Sequence, residues 1–450
     1  MNTQDTICAI ATAQGGAIGV IRISGKDAIA ITDRIFTPVG KHPLPLSERK
    51  AYTMAFGHIR QDDGEIIDEV LIGLFKSPHS YTGEDCVEIS CHGSSFILQQ
   101  VMQLLIRKGC RAAGPGEFTQ RAFLNGKMDL SQAEAVADLI ASSSAATHRM
   151  AMNQMRGGFS RELSALRERL LHLTSLMELE LDFSDHEELE FADRSELETI
   201  AGDIEKVISG LVHSFSVGNV LKNGIPVAIV GETNAGKSTL LNTLLNEEKA
   251  IVSDIHGTTR DVIEDTVNLS GITFRFIDTA GIRDTHDTIE NMGIARSFHK
   301  MEQAEIVLWV VDNTCAEAQI RQLSPRILPL CFNKQLIILL NKSDQVSAVP
   351  TKLSGLPENT VTLSISAKEK TGIQELQNLL VKTASVPELT SSDLIVTNVR
   401  HYEALSLALE DIHRVQNGLQ THLSGDLISQ DLRECLFHLA EIVGGEITAD

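Results

Sequence analysis

The sequence predicts a multidomain protein of α/β and α class. A helical-bundle domain is interrupted by an inserted α/β domain with a mainly parallel sheet, and a strand-rich α/β domain precedes both. Three observations lead there. A chain of 450 residues exceeds one ordinary hydrophobic core, so two or three domains are expected. Near residue 120 the apolar spacing changes from that of strands to that of helices, and it is helical again after about residue 385. Between about residues 218 and 385 the apolar runs PVAIV, ITFRFID, IVLWVV, LIILL and VTLSIS alternate with helical segments, the pattern of βαβ units.

Residues 1–120 form the first domain. AIGVIRIS is a compact apolar strand with Arg22 embedded in it. AYTMAFGHIR and EIIDEVLIGLF flank Asp63-Gly64, which predicts a hairpin closed by a two-residue turn, because that turn needs positive φ. DCVEIS adds a strand, and SFILQQVMQLLIRKG a helix ending at Gly109. Residues 121–217 are the first part of the helical domain, where Ser131-Gln-Ala-Glu134 reads as a capping box. Leu163, Leu166, Leu170, Leu173 and Met177 alternate three and four apart, one face of a helix packing on other helices. The acidic run 177–198 carries ten carboxylates and reads as a solvated helix face. Residues 218–385 are the inserted domain, and 386–450 complete the helical one with YEALSLALEDIHRVQNGL and ISQDLRECLFHLAEIVGG. Such an insertion requires two connection points close together on a surface.

A net charge of −21 excludes a chain that coats nucleic acid along its whole surface, so any RNA contact is local or comes through a partner. Seven cysteines without a CxxC pair point to reduced thiols in a cytosolic protein. Cys86, Cys91 and His92 read as buried thiols and a loop residue rather than a metal set. MNTQDTICAI lacks a basic start before a long apolar stretch, and no uncharged apolar run reaches the ~20 residues that cross a bilayer. A cytoplasmic location without membrane association is expected.

GETNAGKS, residues 231–238, fits G-x-x-x-x-G-K-[ST]. It follows PVAIV and opens STLLNTLL, so Asn234, Ala235, Gly236, Lys237, Ser238 and Thr239 stand where loop N–H groups and a helix N-terminus meet phosphates. Lys237 reaches the β- and γ-oxygens and Ser238 ligates Mg²⁺. In IHGTTRD, Thr258 and Thr259 offer the hydroxyl that closes on Mg²⁺ beside a γ-phosphate. Asp278, Thr279, Ala280 and Gly281 follow ITFRFI, with Asp278 at the carboxyl end of a strand on the metal side and the Gly281 N–H toward the γ-phosphate. Asn341, Lys342, Ser343 and Asp344 follow LIILL. The Asp344 carboxylate can accept from guanine N1–H and the 2-amino group, which adenine does not offer. Ser366, Ala367 and Lys368, after VTLSI, fit the loop that approaches the guanine carbonyl. Taken singly, NKxD is also a plain turn and GETNAGKS a glycine loop; in order, each at a strand end, they specify guanine nucleotide binding. The next residue after DTAG is Ile282, where Ras-like enzymes often carry a glutamine that orients the attacking water. Isoleucine has no hydrogen-bonding side chain, so another group must hold that water.

These motifs, with GPGEFTQRAFLNGKMDLSQAEAVADLI, SYTGEDCVEIS, NAGKSTLLN, AIVSDIHGTTRDVI and DTAGIRD, resemble the tRNA-modification GTPase family MnmE, also called TrmE, over nearly the whole chain. The resemblance implies an N-terminal domain like the folate-binding domain of aminomethyltransferases and a helical domain interrupted by a Ras-like P-loop GTPase domain. It implies a homodimer formed through the N-terminal domains, and a heterotetramer with the flavoprotein MnmG, through which tRNA is mainly met. The implied reaction adds an aminomethyl-type (carboxymethylaminomethyl) group at C5 of the wobble uridine, its carbon drawn from a tetrahydrofolate derivative such as 5-formyl- or methylene-tetrahydrofolate. The family pattern places a water-orienting glutamate at Glu290, twelve positions beyond Asp278. It replaces an arginine finger with K⁺, held by Asn234, Ser253, Ile255 and Thr258, and gives Mg²⁺ to Ser238 and Thr259. A monovalent cation there offsets developing charge as a guanidinium would. From the residues alone Glu290 reads as a solvent-facing helix residue.

The family's folate pattern falls on Arg22, Glu88 and Lys127. A carboxylate such as Glu88 pairs with a pterin's N–H and amino donors, and the basic residues meet carboxylates or carbonyls. From the residues alone, Glu88 and Lys127 pass as surface charge. The family's Cys-x-Gly-Lys tail has no match in GGEITAD or at Cys435, so no role is carried from it. Two other readings share parts of these features. A K⁺-dependent GTPase of ribosome assembly shares NAGKST and DTAG but brings a Lys/Arg-rich appendage that this sequence lacks, and a folate-binding scaffold would use its G domain only to signal nucleotide state.

Overall fold

The structure, a computed structural model, describes residues 5–13, 15–40, 43–182, 194–248, 265–277, 301–332, 334–346, 356–357, 360–384 and 394–445. The chain divides into two compact units: Met1–Ala137 with Gln154–Arg167 and Leu439–Asp450, and Asp138–Asn153 with Glu168–His438.

In the first unit, strands β1 (Ile7–Ile10), β2 (Ile18–Ser24), β3 (Phe36–Pro38), β4 (Thr53–Arg60), β5 (Ile66–Phe75), β6 (Cys86–His92) and β7 (Arg111–Ala112) form a sheet in the order β3-β4-β5-β6-β2-β1-β7. All pairings are antiparallel except β1 with β7. The period-two alternation sets the faces: β5 buries Asp68, Val70, Ile72 and Leu74 and turns Glu69 and Leu71 to solvent. On the buried side, Leu98, Val101, Leu104 and Leu105 of α2 (Ser95–Arg107) join Ile21, Ile23, Ile72 and Ile89, with α1 (Ala28–Asp33) contributing Ala28 and Ile31. Each such Leu, Ile or Val side chain contributes about 1.5–3 kcal/mol on burial, which is what holds helix to sheet.

Two local expectations are corrected here. The β4–β5 hairpin forms, but Gly64 N–H donates to Gln61 O (3.0 Å) and Gln61 N–H to Glu65 O (2.9 Å). Asp62 and Asp63 are therefore the central turn residues, and Gly64, at φ 88°, takes the left-handed position that follows them, a common hairpin closure. A register shift at Ile59/Arg60 accompanies it. The capping box is also displaced: Asp129 N–H donates to Gln132 Oε1 (3.0 Å) and Gln132 N–H to Asp129 Oδ1 (2.8 Å), while Ser131 is buried. Aspartate caps as well as serine, and Asp129 directly precedes the helix.

That helix is α4 (Leu130–Ala141), preceded by α3 (Glu117–Leu124) and followed by α5 (Ala145–Met155), α6 (Gly158–Asp182) and α7 (Arg194–Asn223). The expected stripe of α6, Leu163 to Met177, is buried throughout. Residues 183–193 of the acidic run lie outside the described ones.

In the second unit β8 (Ile225–Val230), β9 (Asp265–Leu269), β10 (Ile272–Phe276), β11 (Ile306–Asp312), β12 (Gln335–Asn341) and β13 (Val361–Ser364) make a sheet in the order β13-β12-β11-β8-β10-β9. It is parallel except for the β9–β10 hairpin. Strand β9 went unforeseen because DTVNL carries three polar residues, which an edge strand tolerates. Central β11 buries Ile306 through Val311, with Leu308 and Val310 in one apolar cluster and Trp309 and Val311 in another, as a strand covered on both faces does. Helices α8 (Lys237–Glu248), α9 (Ala316–Ile327) and α10 (Ile373–Thr383) belong to this α/β part. Beyond it come α11 (Val399–Gln420) and α12 (Gly425–Val443); α11 packs along α7, where Phe215 stacks on Tyr402 with centroids 4.4 Å apart. Among the described residues no helix is long and apolar enough to cross a membrane.

Candidate functional site

The phosphate-loop motif occupies the turn between β8 and α8. A Cβ on Gly231 (φ 147°) would lie 2.2 Å from Val310 O, and one on Gly236 (φ 98°) 2.1 Å from Asn341 Nδ2, so neither position accepts a side chain. Asn234, exposed at the tip, is itself left-handed at φ 65°. Lys237 turns its ammonium back onto Gly231 O (2.9 Å) and Glu232 O (2.7 Å). Half-buried Lys237 and Ser238 stand in the first turn of α8, with Thr239 exposed beside them. A close-packed glycine loop that ends on a helix N-terminus with a lysine and a hydroxyl fits a polyphosphate with Mg²⁺.

The loops that follow β12 and β13 are tied to this loop through one buried amide. Asn341 donates from Nδ2 to Ala235 O (2.8 Å) and accepts at Oδ1 from Ala367 N–H (3.0 Å), so it joins the loop after β8 to the loop after β13. Thr243 adds a bond to Ala367 O (3.0 Å). The Ser366 hydroxyl donates to Asp344 Oδ1 (2.6 Å) and takes a bond from Glu369 N–H (3.2 Å), which fixes an otherwise exposed carboxylate. Lys368 points to solvent beside Glu369. Lys342, left-handed at φ 63°, reaches Asp312 Oδ2 at 2.5 Å. Burial pushes the Asp312 carboxyl up, but bonds from Lys342 and Thr314 outweigh it and hold the group below its ordinary value.

Asp312, Glu232 and Gln319 were not singled out from sequence. A signal existed for the first: Asp312 closes IVLWVVD as Asp278 closes ITFRFID, and carboxyl ends of parallel strands are where such sites form. The sequence candidates Ser253, Ile255, Thr258, Thr259, Asp278, Thr279, Ala280, Gly281, Ile282 and Glu290 lie outside the described residues. Of the K⁺ set, only Asn234 is among the described ones.

A second polar site is built on the first sheet. Arg22 and Glu88 face each other across β2 and β6, and Arg22 gives both Nε (2.9 Å) and Nη2 (2.8 Å) to Glu88 Oε1. The guanidinium carbon lies 5.4 Å from the Tyr81 ring centroid and 5.7 Å from that of Phe118. Tyr81 is held by a bond between its hydroxyl and Thr119 Oγ1 (2.8 Å), while Lys127 donates to Pro78 O (3.0 Å) and Asn125 to Thr82 O (2.7 Å). The structure thus brings Arg22 and Glu88 together directly and Lys127 to the loop that carries Tyr81. A charged pair with one carboxylate oxygen not engaged by Arg22, beside two rings, fits a flat heteroaromatic ligand such as a pterin. The neighbouring Glu117 and Arg121 are structural. Buried Arg121 meets Asp5 Oδ1 (2.6 Å) and Glu84 (3.2 Å), and Glu117 meets Arg111 (2.5 Å). The Arg111 hydrogen bond pulls the Glu117 carboxyl down to about 2, against burial and with help from Gly114 N–H.

Cys86 and Cys91 are buried, and burial pushes their thiols up to about 12 and about 11. His92 turns instead to Asp68 (2.7 Å). Among the described residues no group of three His, Cys, Asp or Glu side chains forms a metal site.

A parallel sheet whose strand ends carry a glycine phosphate loop, an NKxD loop and a SAK loop bound to one another defines a P-loop GTPase domain. Comparison with known proteins extends this beyond the domain. Residues 6–127 match the family model for the GTP-binding protein TrmE N-terminus, and residues 130–450 that of the MnmE helical domain. The tRNA modification GTPase MnmE of Bacteroides thetaiotaomicron is 66% identical over 453 residues, covering 99% of this chain and 97% of that one. The protein of the same name from Flavobacterium johnsoniae is 52% identical over 457 residues, covering 99% and 96%. A crystal structure of Era in complex with MgGDPNP and nucleotides 1506-1542 of 16S ribosomal RNA is 30% identical, covering 41% of this chain and 66% of that one, at a TM-score of 0.28. The chain belongs to the MnmE (TrmE) family of tRNA-modification GTPases.

Proposed function

We propose that this chain is a K⁺-dependent GTPase that works as a homodimer with an MnmG-type flavoprotein. Together they add a carboxymethylaminomethyl-type group, by way of a folate-borne carbon, to C5 of the wobble uridine of tRNA. The observation that carries the nucleotide half is Asn341, which binds the phosphate loop and the SAK loop at once, so that phosphates and guanine are met by one rigid frame. Mg²⁺ would fall to Ser238 and Thr259, GTP to the loops named above, and a folate to Arg22, Glu88 and Lys127. The domain division 1–120, 121–217, 218–385 and 386–450 belongs to this reading, with the third as the nucleotide module. Asn234 and the loop bearing Ser253, Ile255 and Thr258 would hold K⁺, which supplies charge compensation beside the phosphates when bound. Glu290 would orient the attacking water that Ile282 cannot.

The test is hydrolysis by the full chain in K⁺ against Na⁺, with Glu290→Ala alongside, and an assay of the modified uridine with the flavoprotein added. K⁺ should accelerate turnover well beyond Na⁺, and Glu290→Ala should lower kcat by ~10²–10⁴ at nearly unchanged GTP affinity. Equal rates in the two salts, or wild-type turnover of the variant, would remove the K⁺ and Glu290 assignments.

A further inference from the structure

Glu232, the second residue of the phosphate loop, is gripped at both ends. Its backbone carbonyl accepts from Lys237 Nζ at 2.7 Å, and its carboxylate Oε2 accepts from Gln319 Nε2 at 2.8 Å. Gln319 is 8% exposed and projects from the first turns of α9. Its other amide atom, Oε1, accepts from Asp312 N–H at 2.9 Å. A backbone N–H can only donate, so the amide oxygen must face Asp312 and the NH₂ must face Glu232. Asp312 in turn takes Lys342 of the base-reading loop at 2.5 Å. One buried amide therefore connects Asp312, the partner of Lys342, to the carbonyl on which the Lys237 ammonium rests.

We propose that Gln319 is a positioning residue for GTP. By fixing Glu232 it sets the carbonyl against which the Lys237 ammonium rests, and so the place where that ammonium meets the β- and γ-phosphates. Gln319 touches no nucleotide itself. The inference rests on Lys237 as the phosphate ligand. It predicts a nucleotide signature: GTP, with two phosphates near Lys237, loses more than GDP when the amide is removed.

The test compares four full-length proteins, Gln319→Ala, Gln319→Glu, the double exchange Gln319→Glu with Glu232→Gln, and Lys237→Ala, by titration with GTP and GDP. Gln319→Ala should weaken GTP about tenfold, the low end for losing a charged hydrogen bond. Gln319→Glu should weaken it further, because two carboxylates then face each other. The exchange restores an amide opposite a carboxylate with the Asp312 N–H still accepted, and should recover GTP affinity to within about threefold of wild type. Through all of these the loss for GDP should be smaller than for GTP. Equal losses for the two nucleotides, wild-type GTP affinity in Gln319→Glu, or an exchange no better than Gln319→Glu would overturn the proposal. Lys237→Ala separates the premises: if it keeps GTP affinity, the phosphate-ligand reading falls first, and if it loses GTP while Gln319→Glu does not, only the role of Gln319 falls.

Discussion

The nucleotide cradle and the Arg22–Glu88 cluster are two polar sites built from different materials. The cradle is made chiefly of main chain and neutral amides, two glycines with no room for a Cβ and Asn341 bonded to Ala235 O and Ala367 N–H, braced from behind by the Glu232 and Asp312 carboxylates. Its charged groups rest on that frame. The site on the first sheet is made of charges themselves, a cross-strand Arg22–Glu88 pair flanked by two rings and neighboured by the Arg121, Arg111, Glu117, Asp5 and Glu84 cluster. A frame of main chain depends on glycines and tight turns, and tolerates acid and salt. A frame of ion pairs depends on protonation and on every partner being present.

The largest effect that would sharpen this contrast is loss of one charge from the cradle. Asp344→Asn should cost about 3–6 kcal/mol of GTP affinity, the two charged hydrogen bonds to guanine, without unfolding the frame. Because the Ser366 hydroxyl donates to one carboxylate oxygen at 2.6 Å, an amide there would give that place to its own oxygen and turn its NH₂ to the base. That donor suits the 2-carbonyl of xanthine, so relative affinity for xanthosine triphosphate should rise. Unchanged selectivity among GTP, ATP and xanthosine triphosphate in a binding titration would remove Asp344 as the base reader.

The contrast also explains what could be read in advance. The cradle was legible because a backbone-built site needs specific residues at consecutive positions, and Gly231, Gly236 and Asn341 have no substitutes in that geometry. Its supporting carboxylates were not, since Asp312 and Glu232 draw their meaning from partners dozens of residues away. The first-sheet site was legible only through family resemblance. Arg22, Glu88, Tyr81, Phe118 and Lys127 come from two strands, a loop and the region of one short helix, and no spacing in the chain announces that a guanidinium will approach both rings. The strand and helix faces followed from apolar periodicity. The misplaced hairpin turn and capping box were errors of one or two residues in which Asp62, Asp63 and Asp129 outcompeted the expected turn and cap.

A middle-sized effect tests the charge-built site. Glu88→Ala removes the acceptor from Arg22 and, in the proposed function, from the pterin. It should cost about 1.5–3 kcal/mol of affinity for 5-formyl-tetrahydrofolate by calorimetry, with GTP affinity untouched. Glu88→Gln keeps one acceptor for Arg22 but loses the charge, and should fall between. Wild-type folate affinity in the alanine variant would break the comparison at its weaker side.

The smallest effect probes whether the surroundings of that site depend on protonation as a charge-built frame must. The Glu117 carboxyl is drawn from 4.5 down to about 2, first by Arg111 and then by Gly114 N–H and Arg121, with burial opposing. A group whose pKa is depressed by folding contributes stability that is present above its unfolded value and is lost as pH falls through the folded one. The window is therefore from about 4.5 down to about 2. Glu117→Gln should lower protection of the amides of Arg111 and Ala113, which pair with Thr6 and Cys8, by about 1–2 kcal/mol at pH 7. That is less than the full shift implies, because Arg111, at 49% exposure, is screened by solvent. Measured by hydrogen exchange at matched pH, the difference between variant and wild type should close as pH drops through that window. The amides of β11 and β12, whose strands pair with each other and with β8 and β13, are the internal control and should show no difference between variant and wild type at any pH. A gap in the first sheet that persists unchanged to pH 2 would mean that Glu117 acts there through shape and neutral hydrogen bonding, and that the two frames are less different than their charges suggest.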